Sequence, residues 1–527
     1  MWSLSQPVGK PCSDTSNLLD SKLLSDPLQT FVFLDRHVRH EATAFEAEDK
    51  ENDASRDVIV TFARRPLKSG YDFGKSSVSA RSFSTSSTSP PKRVGVVGCG
   101  PSGMALINAC SKLQDPSSVS LTIFEKQEEW GGVWNYDWRT GSDESGRAVH
   151  ASMYQQLWSN SAKETNEFLD YSYEEHFEGK ATPSYLPRQL MRDYIAGRAE
   201  KAMGVDGVNV DVRLGSGVEQ VEMEGGKFRV TTGGEKEEEF DHLIVASGHF
   251  SVPHSASFPG FENFNGRIMH STDFRNALEF SGHRILVVGN GNSGEDVALQ
   301  CNKYGAAQVY LTYRTEKSAI NWPEGIEETP NLVSVGGEKG RTCYLKDGSE
   351  IEDVDAIILC TGYKHSFPYM PNDLRLSTSN NLYPQGLYKG VAWLENPNLF
   401  YMGMQDIWIG LKVYDCQAFW IMDSILGKVG RDAGVEERKG DIERWVDKLK
   451  GIKREGAKEG VNGLRENLNF QKEYLQDILD DVGETAEHGY NKDYRALLDT
   501  HVDDYMMVTE HKREVRRSDG WSEATTV

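Results

Sequence analysis

The chain has 527 residues, 38% hydrophobic and 26% charged, the composition and length of a globular protein of two or three domains. Its formal net charge of -22 argues against a nucleic-acid partner, whose phosphates would be repelled, and reads mainly as solubility, with attraction of cationic substrates a weaker reading. No stretch reaches the roughly 18 uncharged apolar residues of a membrane helix. The seven cysteines are scattered singly without a CxxC pair, which suggests neither a metal site nor a redox-active disulfide and fits a reducing compartment.

Residues 1–91 differ from the rest. The first 57 are polar and acid-rich without periodicity; from Val58 to Arg93 basic residues dominate, and the tract ARSFSTSSTSPPKR is Ser-rich and basic. The tract resembles the end of an organelle transit peptide, although such a peptide should begin the chain and an acid-rich segment precedes this one. Residues 1–91 are therefore expected to be a disordered extension with a transit-like segment at about 58–91, and the protein a soluble one of the cytoplasm or an organelle.

The folded part is expected to start at Lys92. The apolar run RVGVV leads into GCGPSG, with Gly98, Gly100 and Gly103, and then into helical spacing. That is the strand–turn–helix of a dinucleotide fold: the first glycine permits the turn, the second lets the backbone approach a pyrophosphate, and the third lets helix pack on strand. The next strand, LTIFE, ends in Glu125, a carboxylate suited to a ribose hydroxyl. EKQEEWGGVWNY follows, where Gly131 and Gly132 allow a second close approach and Trp134 could cover a ring or a ribose; core packing of its tryptophans is the plainer alternative.

The aromatic connector MYQQLWSNSAKETNEFLDYSYEEHF carries Asn160, whose amide both donates and accepts, or simply caps a turn. In FNGRIMHSTDF, of the form FxGxxxHxxxF, His270 reads better as a structural histidine than as a catalyst. A second phosphate turn, GNGNSG with Gly289, Gly291 and Gly294, follows RILVV, and the next strand, QVYLTYR, ends in Arg314. A guanidinium there suits a 2′-phosphate. Two different nucleotides on one polypeptide follow, FAD first and NADPH second. GMQDIWIGLKVYDCQAFW, with Gln405, Trp408 and Gln417, suits a flavin surround, and the charged segments after Gly427 read as helices packed outside the core that offer a homodimer contact.

DHLIVASGH and DAIILCTGY read as two similar buried strands on either side of the second turn. The predicted fold is α/β, with two Rossmann-like domains: FAD-binding at 92–250 and 355–425, NADPH-binding at 251–354 inserted between them, and a helical extension at 426–527.

Together GCGPSGMA, FEKQEEWGGVWNYDWRTG, SMYQQLWSN, FNGRIMHSTDF, GNGNSGEDVA, DAIILCTGY and MQDIW…YDCQAFW resemble, in the same order, the flavin-containing monooxygenase family, and within it the bacterial trimethylamine monooxygenases. Phe274 closes the signature where Baeyer–Villiger relatives usually carry Trp. The resemblance implies that NADPH reduces FAD, that O2 gives a flavin C4a-hydroperoxide shielded by NADP+, and that a soft nucleophile takes the distal oxygen. It implies FAD contacts from Gly98, Gly100, Ser102, Gly103, Glu125, Gln127, Val133, Trp134 and His150, with Val218 and Gln405 as lesser ones. NADPH contacts fall to Trp158, Asn160, His254, Gly289, Gly291, Asn292, Ser293, Gly294, Arg314 and Thr315, with Asn160 the residue most needed in turnover. Trp322 and Trp408 would line an aromatic substrate pocket. The chain departs from the bacterial amine oxidisers at His254, where they have Tyr, and at Ile326, where they show a second Trp. Trimethylamine N-oxygenation is the leading expectation. Oxygenation of small sulfides or sulfinates, N-hydroxylation of primary amines and a catalytically silent flavin-binding protein are the alternatives; a disulfide reductase would need a cysteine pair this chain lacks.

Overall fold

The computed structural model describes residues 90–517 apart from 142–148, 150–151, 234–235, 315–316, 318–320, 379–381, 408, 431, 460–462 and 483–489. The expected extension with its transit-like tract, and His150, Thr315 and Trp408, lie outside the described residues.

The first sheet grows from β1 (Lys92–Val97), whose Val94 and Val96 are fully buried, as befits a strand covered on both faces. β1 pairs in parallel with β2 (Val119–Phe124) on one side and β7 (His242–Val245) on the other. The parallel set continues through β3 (Asn209–Arg213) beyond β2 and β20 (Leu399–Tyr401) beyond β7, and β18 (Leu387–Tyr388) and β19 (Ala392–Trp393) extend it antiparallel. A small antiparallel sheet of β4 (Val218–Glu224), β5 (Lys227–Thr232) and β6 (Lys236–Phe240) packs on one face. Between β2 and β3 run the short helices α2 (Lys163–Asn166) and α3 (Tyr173–His176) and the long α4 (Arg188–Met203).

The second sheet is wholly parallel, in the order β12 (Ile326–Pro330), β11 (Gln308–Tyr313), β10 (Arg284–Val288), β16 (Ala356–Leu359), β9 (Arg267–His270). A three-stranded antiparallel layer of β13 (Leu332–Gly336), β14 (Thr342–Leu345) and β15 (Glu350–Ile351) covers it. The chain leaves the first sheet through β8 (Val252–Pro253) and returns through β17 (Tyr363–Lys364), and the two pair antiparallel. The fold is α/β with one dinucleotide-type domain inserted into another.

Two expectations are corrected. First-sheet material does not resume at 355: β16 sits between β10 and β9, so DAIILCTGY completes the second sheet and the crossing falls at β17. Fully buried strands look alike in sequence, and only their pairing tells which sheet they join. Nor do the C-terminal helices lie outside the core. Trp445 of α7 (Val435–Glu459), Tyr474 and Ile478 of α8 (Gly463–Val482) and Tyr494 and Leu498 of α9 (Tyr490–Arg517) share one apolar cluster with α1 (Pro101–Ser111) and α6 (Lys412–Ile425). Inside it Arg198 of α4 grips Asp415 of α6 with two 2.8 Å hydrogen bonds, and Tyr494 of α9 donates to the same carboxylate. Satisfying a buried charge on every side makes such a cluster specific in its partners. Among the described residues no helix is long and apolar enough to cross a membrane.

Candidate functional site

The first phosphate turn joins β1 to α1. Gly98 has φ +105°, and a Cβ there would stand 2.7 Å from the Ala246 carbonyl oxygen. A Cβ on Gly103 would meet the Gly98 carbonyl oxygen at 2.3 Å. Gly100 faces Gly132, whose own added Cβ would come within 2.8 Å of the Gly100 Cα, so the two backbones close on each other as GCGPSG and WGG require. Pro101 opens α1, where its missing N–H costs nothing. Register places Phe124 beside Val97, so Glu125 lands next to the turn. Its carboxylate, 4% exposed, accepts from the Cys99 N–H (2.7 Å) and the Gln127 N–H (2.9 Å). Burial pushes the Glu125 pKa up, and the two backbone N–H groups act against that shift.

Gln127 accepts from Asn135 Nδ2 (2.9 Å), while Asn135 Oδ1 is buried with no partner among the described residues. Val133 and Trp134 are half-buried in the turn after Gly132. Ser216 N–H donates to the Glu125 carbonyl (2.8 Å), which brings Val218, at the start of β4, to the same edge. Ser102 is buried in the first turn of α1 and shares a hydrogen bond with Tyr414. Burial pushes the Cys99 thiol up, so it serves as a small residue of the turn.

The second turn repeats the backbone. Gly289 has φ +106°, a Cβ on it would meet Cys360 O at 2.6 Å, and one on Gly294 would meet Gly289 O at 1.8 Å. Gly291, at the start of α5 (Asn292–Lys303), is different: among the described residues no atom beyond its chain neighbours lies within 4 Å of its Cβ position. Asn292, Ser293 and Arg314 are exposed. Val288 pairs with Thr312, so Arg314 follows the strand end beside this turn. His254, exposed, donates its N–H to Gly362 O (2.8 Å) at the crossing.

Trp158 and Asn160 lie on neither turn but on the segment 153–166. Its start belongs to the second domain: Gln155 N–H donates to Arg275 O (2.9 Å), Gln156 pairs with Asn276 (2.9 Å), and Tyr154 meets Phe274 edge-on at 5.1 Å. Its end belongs to the first: Ser159 Oγ accepts from Leu186 N–H (3.0 Å), and the buried Lys412 donates to Thr165 O (2.7 Å). Trp158 bridges to Pro187, and Asn160 is exposed. The FxGxxxHxxxF motif thus supplies anchors: Phe274 is buried, Arg275 donates to Arg139 O (2.8 Å), and His270 Nδ1 accepts from Thr272 N–H (3.0 Å). Burial holds the His270 pKa down, which keeps it neutral and structural, as its sequence context suggested. Trp322 packs half-buried on the second domain's core.

Gln405 is buried. Its Nε2 donates to Gly390 O (2.9 Å) and its Oε1 accepts from Gln417 Nε2 (2.9 Å). Asn135, Gly403 and Tyr414, which also build the first turn's surround, escaped the sequence reading; for Asn135 the signal was available, since a polar amide follows WGGVW where apolar packing would need none.

Both turns fit dinucleotides on the structure's own terms: two helix N-termini end in turns that only glycine can make, one beside a buried carboxylate and an unsatisfied buried amide, the other beside an exposed arginine.

The profile of the flavin-binding monooxygenase-like family matches residues 91–322 and 334–459. The chain is 46% identical over 399 residues to a trimethylamine monooxygenase of Roseovarius sp. (strain 217), covering 74% of this chain and 85% of that one. It is 44% identical over 396 residues to a trimethylamine monooxygenase of Methylocella silvestris, with 73% and 84% covered. The crystal structure of Tmm from Pelagibacter sp. strain HTCC7211 superposes with a TM-score of 0.68 at 38% identity, covering 78% of this chain and 90% of that one. Two glycine turns on one chain, one beside a buried carboxylate and one beside an exposed arginine, and this agreement over most of its length, lead to one conclusion: the chain belongs to the flavin-binding monooxygenase-like family and is an NADPH-dependent monooxygenase with FAD and NADPH as cofactors.

Proposed function

We propose that this protein transfers one oxygen atom from O2 to the nitrogen of trimethylamine, giving trimethylamine N-oxide and water at the expense of NADPH and a proton. The observation that carries this reading is the segment 153–166, tied to Arg275 and Asn276 at one end and to Leu186 and Lys412 at the other, with Trp158 and Asn160 along it. The similarity to bacterial trimethylamine monooxygenases supports the choice of amine.

In this proposal Gly98, Gly100, Ser102, Gly103, Glu125, Gln127, Val133 and Trp134 hold FAD, with Val218 and Gln405 at its margin. Gly289, Gly291, Asn292, Ser293, Gly294 and Arg314 hold NADPH, with Trp158 and His254 beside the nicotinamide. FAD, reduced by NADPH, supplies the activated oxygen. The chain's own part is to bind, orient and exclude water. The N–H groups of α1 and α5 face the two pyrophosphates. Glu125 accepts from a ribose hydroxyl, and Arg314 pairs with a 2′-phosphate. The Asn160 amide orients the reacting groups, and Trp322 offers an aromatic face to the amine. The FAD domain comprises the first sheet with the C-terminal helices, the NADPH domain the second sheet. A homodimer in a cytoplasmic or organellar compartment completes the proposal.

The test is NADPH oxidation by the purified protein with trimethylamine, with the product identified. N-oxide in proportion to NADPH consumed is expected, and Asn160→Ala, with FAD still bound, is expected to lose about 10²-fold in N-oxide formation, the scale of a deleted preorganised donor. Hydrogen peroxide as the sole product with every amine tried would end the reading.

A further inference from the structure

The helix α8 reaches the first phosphate turn through a buried chain of amides. Tyr474 is 2% exposed, and its hydroxyl donates to Lys389 O (3.0 Å) and accepts from Gln417 Nε2 (3.1 Å). The same Gln417 amide donates to Gln405 Oε1 (2.9 Å), and its Oε1 accepts from the Gly403 N–H (2.9 Å). Gly403 abuts α1: a Cβ there would stand 2.3 Å from Ser102 Oγ. One turn earlier on α8, Gln471 accepts from Ile409 N–H (3.2 Å) and donates to Asp406 O. Gln405, Asp406 and Ile409 are therefore held from behind by two side chains of α8, three positions apart on one face of that helix, and Gly403 by Gln417, which Tyr474 in turn holds.

Tyr474, Gln417, Gln405 and Gln471 are all buried, so each lost partner leaves a polar atom without solvent to replace it. The backbone of 403–405 has no regular secondary structure of its own beyond β20, and its place against Ser102 depends on Gln417. From this we infer that Tyr474 and Gln471 are positioning residues for FAD: through Gln417, Gln405 and the backbone of Gly403, Asp406 and Ile409 they set the wall against which the first turn of α1 receives the flavin nucleotide. The inference rests on the reading that this turn holds FAD.

The experiment is a titration of apoprotein with FAD, followed by flavin fluorescence and by the visible spectrum of the bound flavin. Tyr474→Phe, which keeps the ring, is expected to raise the FAD dissociation constant about tenfold, the usual cost of an orphaned buried partner. Gln417→Leu is expected to do at least as much. Because Tyr474 and Gln417 belong to one network, Tyr474 accepting from Gln417 (3.1 Å) and directly from Gln405 Nε2 (3.4 Å), the double variant is expected to lose less than the two single losses combined. Glu473→Gln, on the outer face of the same helix and paired with Lys448, is expected to bind FAD as the unaltered protein does. A Tyr474→Phe apoprotein that melts lower yet binds FAD with the original constant and spectrum would overturn the inference, as would simple additivity with Gln417→Leu. Binding is measured without substrate, so a protein that consumes NADPH without forming N-oxide would end the trimethylamine reading and leave these constants to decide this one.

Discussion

At the first turn Gly100 is closed over by Gly132, and Glu125 beside it is 4% exposed and already holds two backbone N–H groups. At the second, no described residue beyond the chain neighbours stands within 4 Å of the Gly291 Cβ position, and Asn292, Ser293 and Arg314 are exposed. The two turns share their backbone, with φ of +105° at Gly98 and +106° at Gly289, and differ in enclosure. An enclosed site gives its ligand few routes out, whereas an open one trades affinity for exchange. The first suits a cofactor that stays through many cycles, and the second a coenzyme that must arrive reduced and leave oxidised.

The largest effects that could break this contrast come from adding one methyl group. Gly103→Ala puts a Cβ 2.3 Å from a backbone oxygen and is expected to abolish FAD binding together with the native fold of the turn. Gly291→Ala meets no protein atom, so folding and FAD content should persist while the Michaelis constant for NADPH rises about tenfold, since the second glycine is where the pyrophosphate approaches. FAD content and NADPH kinetics measured on both variants decide the matter; a Gly103→Ala protein that keeps its flavin, or a Gly291→Ala protein with unaltered NADPH kinetics, would erase the difference.

Arg314→Ala sharpens the contrast at the ribose. Losing a charge-assisted contact of about 1.5–3 kcal/mol should raise the Michaelis constant for NADPH by roughly ten- to a hundredfold and leave NADH almost unaffected. Equal changes for both coenzymes would remove the phosphate role.

The smallest effect concerns Glu125. Its pKa is raised in the folded protein from the ordinary 4.5, chiefly by burial, so the folded state binds this proton more tightly than the unfolded chain does. That contribution to stability is complete below 4.5 and is lost as pH rises through the raised value. FAD-free protein should therefore lose stability relative to Glu125→Gln as pH climbs from 4.5 toward neutrality. Denaturant melts of both proteins at the two ends of that range test it; a difference independent of pH would mean the carboxylate is not strained by burial.

The readings that survived the structure are local. Gly98, Gly103, Gly289 and Gly294 are glycines because of clashes measured within one strand–turn–helix unit and its immediate neighbour, and Glu125 and Arg314 sit one strand away at a register the apolar runs impose. His270 as a structural histidine followed from the same short range. The readings that failed depended on distant partners. The strand at 356–359 carries no mark of which sheet it joins, and α8 reads as a charged surface helix because charges such as Glu473 and Asp480 interleave with its apolar positions, whereas Leu468, Tyr474, Leu475 and Ile478 are in fact buried.

Short-range chemistry in the chain thus determined two strand–glycine turn–helix units, one with Glu125 and one with Arg314 at the end of the next strand, because backbone sterics and strand alternation act within a few residues. Folding in three dimensions decided where Asn160 lies, how the second domain closes and what stands behind Gln405. Those contacts join residues as far apart as Thr165 and Lys412 or Gln405 and Tyr474, and their pairing is selected by burial of whole faces rather than by neighbouring sequence.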